Sequence, residues 1–293
     1  MKIIDAHHHI WRQADLAWLQ GPTQPRIFGP YDAIKRDYLI DEFRGDAAAA
    51  GVAKSIYVQA NWPNDRFVGE VAWVQQVADE TDWPHAIVGY CDMTQPDARA
   101  DLDRLAAFPL MRGIRQQLHW HENPLYRFAP EPDLALSADL QRNVARLADY
   151  GWAFDLQVFA SQMAGACALA DACPGVTFIL QHAGMLEDLT DDGRRTWRAA
   201  MSELAKRPNV VCKLSGLGTF IHRNDAGHIR SIVAEAIALF GPERCLFGSN
   251  FPIEKLWTGY DVLVAAYLDA ITDLDQGAQQ AVMHDTAARI YAL

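Results

Sequence analysis

Asp5-Ala6-His7-His8-His9 stands within the first ten residues, directly after the apolar pair Ile3-Ile4. If the run from Lys2 to His7 is a buried strand, alternation puts Asp5, His7 and His9 on one face and Ala6 and His8 on the other. Two imidazoles two residues apart on one strand face can grip one metal ion or one substrate. A third histidine, His182, ends the apolar run Phe178-Ile179-Leu180-Gln181. Bringing it to the first two would place nucleophilic, basic or metal-binding nitrogens around a single point.

The rest of the chain supplies elements able to do this. Eight short runs rich in Val, Ile, Leu and Phe read as buried strands: 2–7, 54–59, 86–91, 113–118, 153–159, 176–182, 210–215 and 245–250. Helical stripes lie between them, such as Leu140, Val144 and Leu147, or Trp197, Met201 and Leu204. Eight strands alternating with helices predict a (β/α)8 TIM-like barrel, a single domain over residues 1–293, with functional side chains gathered where strands end. The stretch from Trp11 to Gly51 carries Gly21-Pro22, Pro25 and Gly29-Pro30. It is expected to form a covering loop after strand 1, followed by the first helix.

Alternation also predicts which strand-end side chains enter the barrel mouth. These are His7 and His9, Gln59, Arg115 and Gln117, Asp155 and Gln157, His182, Lys213 and Ser215, and Asn250. So many polar groups are costly to bury without partners or a ligand, which favours an active site over a plain core. Trp11, Trp62, Trp120 and Trp257 follow strands and offer aromatic faces for a sugar-sized or planar ring. Blander roles stand beside these: an Asp155–Arg115 ion pair, Asp5 fixing histidine geometry, and His119 and His121 packing a loop.

Composition narrows the partners. A formal net charge of -11 opposes long-range attraction to nucleic acid or anionic membrane. No apolar run nears the roughly 20 residues of a membrane span, and no signal-peptide core precedes the histidine strand. A cytoplasmic protein acting on a small molecule is expected, with a homo-oligomer as an open option. Five cysteines without CxxC spacing read as core residues rather than a disulfide framework.

The ordered motifs Asp5-Ala6-His7-His8-His9, Phe154-Asp155-Leu156-Gln157, Gln181-His182-Ala183-Gly184, Lys213-Leu214-Ser215-Gly216 and Phe247-Gly248-Ser249-Asn250-Phe251-Pro252 resemble the amidohydrolase superfamily. The closest branch is amidohydrolase-2, which contains sugar-lactone and dicarboxylate-lactone hydrolases and related decarboxylases. The resemblance implies a TIM-like barrel and, in many members, a divalent metal. It departs at Gln157, where metal-dependent relatives commonly have histidine, and at Asn250, where many have aspartate. An amide is a poorer zinc ligand than either. His7, His9 and His182 still offer a three-histidine site with an open water position, and both metal-dependent and metal-independent catalysis stay open.

With an ion such as zinc, hydroxide would form directly on bound water. Without one, His182 or Asp155 is the base candidate, Asn250 orients water, and Arg115, Lys213 and the histidines hold an oxyanion. The function expected is opening of a small lactone, a sugar lactone or a carboxylated one, by water. Gln59, Arg115, Gln117, Gln157, Ser215, Trp62 and Trp120 would bind the substrate. A metal-dependent decarboxylase of the same branch and a non-catalytic ligand-binding barrel are the alternatives.

Overall fold

The computed structural model describes residues 1–293. Eight parallel strands, β1 (Ile3–His8), β2 (Val52–Val58), β3 (Ala86–Gly89), β4 (Met111–Gln117), β5 (Ala153–Gln157), β6 (Phe178–Leu180), β7 (Val210–Leu214) and β8 (Cys245–Phe247), pair in chain order. The ring is drawn together where His9 N donates to Phe251 O at 2.8 Å and Asn250 N donates to His7 O at 2.7 Å. It is a (β/α)8 barrel.

Alternation sorts side chains into two layers. Ile4, Ala6, Val58, Val88, Ala153, Ile179, Val211 and Leu246 fill the barrel's interior, where Ala287 and Tyr291 from the terminal helix join them. Phe154, Leu156, Phe178, Leu180, Cys212 and Phe247 point outward into the larger core beneath the helices. All five cysteines are free and buried. Some of the helices start where polar side chains satisfy their first amides. Thr190 Oγ1 accepts from Gly193 N at 3.1 Å ahead of Asp191–Ala205, and Asp225 Oδ1 accepts from His228 N at 2.9 Å ahead of Ala226–Phe240.

Simple alternation fails at the first strand. Its pairing with β2 shifts register between Asp5 and His8, and such an irregularity re-aims side chains. Asp5 therefore does not share a face with His7 and His9. Its carboxylate accepts from Ser249 N at 2.8 Å, Ser249 Oγ at 2.6 Å, Tyr260 OH at 2.8 Å and His7 N at 3.0 Å. Asp5 thus clasps the seam between β1 and the turn after β8. His8 turns away from the barrel and stacks on Phe43 with ring centroids 3.8 Å apart.

The covering loop is tied down on several sides. Trp11 and Tyr38 exchange backbone hydrogen bonds at 2.8 and 2.9 Å, Trp18 Nε1 donates to Ala60 O at 3.0 Å, and Arg66 pairs with Asp15 at 2.9 Å. Across the mouth, His222 Nε2 lies 3.0 Å from Ile27 O. The loop thereby spans from the β2 side to the β7 side. No helix is long and apolar enough to cross a membrane.

Candidate active site

Two of the expected strands stop short of their key residues. β6 ends at Leu180 and β8 at Phe247 because the chain leaves the ladder: His182 takes φ 52° and Asn250 takes φ 58°. Left-handed backbone is uncommon outside glycine and costs free energy, and such positions concentrate at functional sites. Both turns aim their side chains into the same cavity. It measures about 570 Å³, within the range of small-ligand sites.

His9, Gln59, Trp62, Arg115, Gln117, Gln157, His182 and Asn250 all line this cavity. His7, Asp155, Lys213 and Ser215 do not; they are buried around it. Asp155 and Lys213 pair with each other at 3.0 Å with both side chains fully buried, so the ion pair is Asp155–Lys213 rather than Asp155–Arg115. Neither is presented to a ligand. Trp120 also lies outside the cavity, half-buried, with the Arg127 guanidinium over its ring at 4.8 Å. Trp257 turns away and donates to Glu254 at 2.8 Å.

The imidazoles are held by specific contacts. His182 Nδ1 lies 2.9 Å from Ser215 Oγ, and His9 Nδ1 lies 2.7 Å from Val58 O, which fixes it as the protonated nitrogen because a carbonyl only accepts. His7 stands 5.1 Å from His9 and 4.9 Å from His182 between ring centroids. Both ring nitrogens of His7 are buried without a partner.

Burial, reinforced by the Arg115 and Lys213 charges, pushes His182 down to about 3. Burial also pushes His7 and His9 well below the ordinary histidine value. All three rings are thus neutral near pH 7, the state that binds metal or accepts a proton. Burial lowers Arg115 to about 10, and it keeps its charge. One of its terminal nitrogens donates to Gln59 O, while its Nε is buried without a partner.

Three neutral imidazoles, one with both nitrogens unsatisfied, suit a divalent ion in donor chemistry. Their spacing does not: no three His, Cys, Asp or Glu side chains stand close enough together to hold an ion. The coordinating set expected from the sequence is therefore present in residue type but is not drawn together.

Several cavity residues had no periodic signal to reveal them. Trp18 and Arg26 come from the covering loop, and Phe128 and His119 from the segment after β4. His119 is buried and lines the cavity, which goes beyond loop packing, and burial holds it at about 3. Glu254 lies just behind the floor, fully buried. Burial raises it to about 8 against weaker opposing contacts from Trp257, Asn250 and Gly218. The weak clue to Glu254 was its place one helical turn after Asn250.

Residues 4–293 match the model of a family described as Amidohydrolase. The chain belongs to the amidohydrolase family. This amidohydrolase is 37% identical over 294 residues to the uncharacterized protein y4mH of Sinorhizobium fredii, covering 99% of this chain and 98% of that protein. It is 33% identical over 306 residues to an L-fucono-1,5-lactonase of Burkholderia multivorans, covering 99% of this chain and 96% of the lactonase. Among solved structures, an amidohydrolase from Burkholderia multivorans with bound zinc superposes with a TM-score of 0.83 at 30% identity over the whole of both chains. The amidohydrolase family and the lactonase-named relative together support a hydrolase.

Proposed function

We propose that this amidohydrolase opens a small lactone by attack of water on the ring ester carbonyl. One observation carries the reading: a neutral histidine held by Ser215 and a charged guanidinium with a free buried N–H line the same cavity. The relatives named L-fucono-1,5-lactonase, 31% and 33% identical, support the same chemistry.

In this reading Arg115 donates to the carbonyl oxygen as negative charge develops there, where a preorganised cation is worth most. Asn250, whose amide has no useful basicity, orients the attacking water. His182 takes the water's proton as the carbon–oxygen bond forms. Burial and the Arg115 charge make the resulting imidazolium unfavourable, so the proton passes on to the ring oxygen as its bond to the carbonyl carbon breaks. The product is an open-chain hydroxy acid.

A second reading is favoured by the unsatisfied nitrogens of His7 and by the zinc-bound structure of the relative. His7, His9 and His182 would have to draw closer than they stand here to hold a divalent ion such as zinc, which would then supply Lewis-acid polarisation of the carbonyl. His182 cannot serve as ligand and base together, so zinc content decides between the two. A panel of lactones followed by acid release, with carbon dioxide measured in parallel, tests the function itself. Acid without carbon dioxide is expected; carbon dioxide release would favour a decarboxylase, and tight binding without turnover a binding barrel. Asn250→Ala is expected to lower kcat, and turnover unchanged from the parent in both Asn250→Ala and Asn250→Asp would remove its assigned role.

A further inference from the structure

The cavity changes character from floor to rim. Its floor is polar: His9, Gln59, Arg115, Gln117, Gln157 and His182 stand on strand ends or within two residues of them. Its rim comes from the loops and is mostly apolar. The covering loop contributes Trp18, Ile27 and Phe28, and the segment after β4 contributes Leu125, Phe128 and Leu134. The covering loop runs over β1 from the β2 side to the β7 side, while β4 lies across the ring from β8, so the two apolar groups face each other over the mouth.

These rings are braced from behind. Trp18 and Phe28 pack with centroids 6.2 Å apart, and Phe128 lies 5.4 Å from the His119 ring. The two rim arginines add to the same surface, because a guanidinium is flat and weakly hydrated. Arg26 lies 5.9 Å from the Trp18 centroid, and Arg127 lies 4.8 Å from that of Trp120 while donating to His121 O and Glu122 O. Yet Phe128 is 47% exposed and Leu125 40% exposed, although both line the cavity. Large apolar side chains left wet on the wall of a concave site mark it for an apolar ligand group.

A cavity of about 570 Å³ suits a drug-sized ligand rather than a bare lactone ring. Hydroxyl groups set against Phe128 and Leu125 would lose water and find neither donor nor acceptor. We propose that the lactone taken by this cavity carries an apolar substituent, alkyl or aryl, that packs between the covering loop and Phe128 while its ring ester faces Arg115 and His182. This rests on the lactonase reading and narrows its substrate class. The reaction consumes one water: its oxygen bonds to the carbonyl carbon, the ring carbon–oxygen bond breaks, and the ring oxygen takes the proton. The product is an amphipathic hydroxy acid, with no change of oxidation state. Phe128 acts as a specificity residue, remote from the reacting bond.

The test uses the full chain and three lactones on one ring: δ-valerolactone, which is unsubstituted, δ-decalactone, which bears a pentyl chain, and gluconolactone, which bears hydroxyls. Burying the chain is expected to raise kcat/KM for δ-decalactone about 30- to 300-fold over δ-valerolactone. Phe128→Asn should lower kcat/KM for δ-decalactone about 10- to 30-fold, chiefly through KM, and that for δ-valerolactone far less. Phe128→Leu should recover most of the loss. Equal kcat/KM for δ-decalactone and δ-valerolactone, a preference for gluconolactone, or equal losses in Phe128→Asn on both apolar lactones would overturn the proposal.

Calorimetric titration with the ring-opened acids of δ-decalactone and δ-valerolactone, which needs no turnover, separates this from the lactonase reading. Tighter binding of the pentyl acid that Phe128→Asn abolishes, with no lactone opened, would leave the apolar site standing and remove the lactonase. Opening of gluconolactone or δ-valerolactone with no gain from the pentyl chain in turnover or binding would do the reverse.

Discussion

Lys213 Nζ lies 3.0 Å from Asp155 Oδ2 in the barrel interior, and neither side chain is exposed to solvent. Lys213 also lies 5.6 Å from the ring of Tyr291, in the terminal helix that fills the barrel's interior end. Removing one partner strands the other charge in a dry core. Lys213→Met is expected to destabilise the fold by about 3–5 kcal/mol, and adding Asp155→Leu to recover most of that loss. Denaturant midpoints of the single and double variants check this; a double variant no better than the single would show that the pair is not a self-contained unit.

Gly216 sits against the proposed base. Its φ is +61°, and a Cβ there would lie 2.6 Å from His182 Nδ1. That is both a strained backbone for alanine and a clash with the nitrogen that meets Ser215. Gly216→Ala should cut kcat about 10- to 100-fold, as losing a group that orients a functional histidine does. Ser215→Ala should fall in the same range without the strain. Turnover unchanged in both would mean that His182 needs no positioning.

Glu254 predicts an alkaline weakness. Burial raises it from 4.5 to about 8, so the folded chain holds a proton that the unfolded chain releases above 4.5. Its contribution is full below 4.5 and is lost as pH rises through 8. His8 and His119, each held at about 3 by burial, act in the opposite direction: their contribution is full above 6.5 and is lost as pH falls towards 3. Glu254→Gln should therefore be flatter than the parent between about pH 6 and about pH 8.5, while both proteins share the acid limb. Urea midpoints at the two values measure it, and parallel curves would contradict the assignment.

His7 carries the metal question. If an ion is bound after gentle purification, His7→Ala should lower zinc stoichiometry and leave the helix content unchanged. Elemental analysis alongside circular dichroism reads both. Full zinc retention in the variant would remove His7 from any coordinating set.

Much of the barrel was legible in the sequence because short apolar runs between amphipathic stripes have few other ways to hide their faces. The parity of β4 and β5 was readable for the same reason: Arg115 pairs in register with Asp155, and Gln117 with Gln157. The parity of β1 was not. Nothing in Asp5-Ala6-His7-His8-His9 announces the register shift that sends Asp5 to Ser249 and Tyr260 while His7 turns towards His182. The expected placement of Trp120 failed for a related reason, since a loop lacks the period that tells one face from another.

What the sequence determined by itself was the set of chemical groups and their order along a barrel, because side-chain alternation and hydrophobic burial are local rules. Tertiary structure alone decided which of those groups meet. It joined Lys213 to Asp155 across 58 residues, set Ser215 against His182 across 33, and brought Arg26 over the cavity. Such pairings depend on how distant backbones turn and close upon one another, and charge or hydrogen-bond complementarity has many possible partners until the chain is folded.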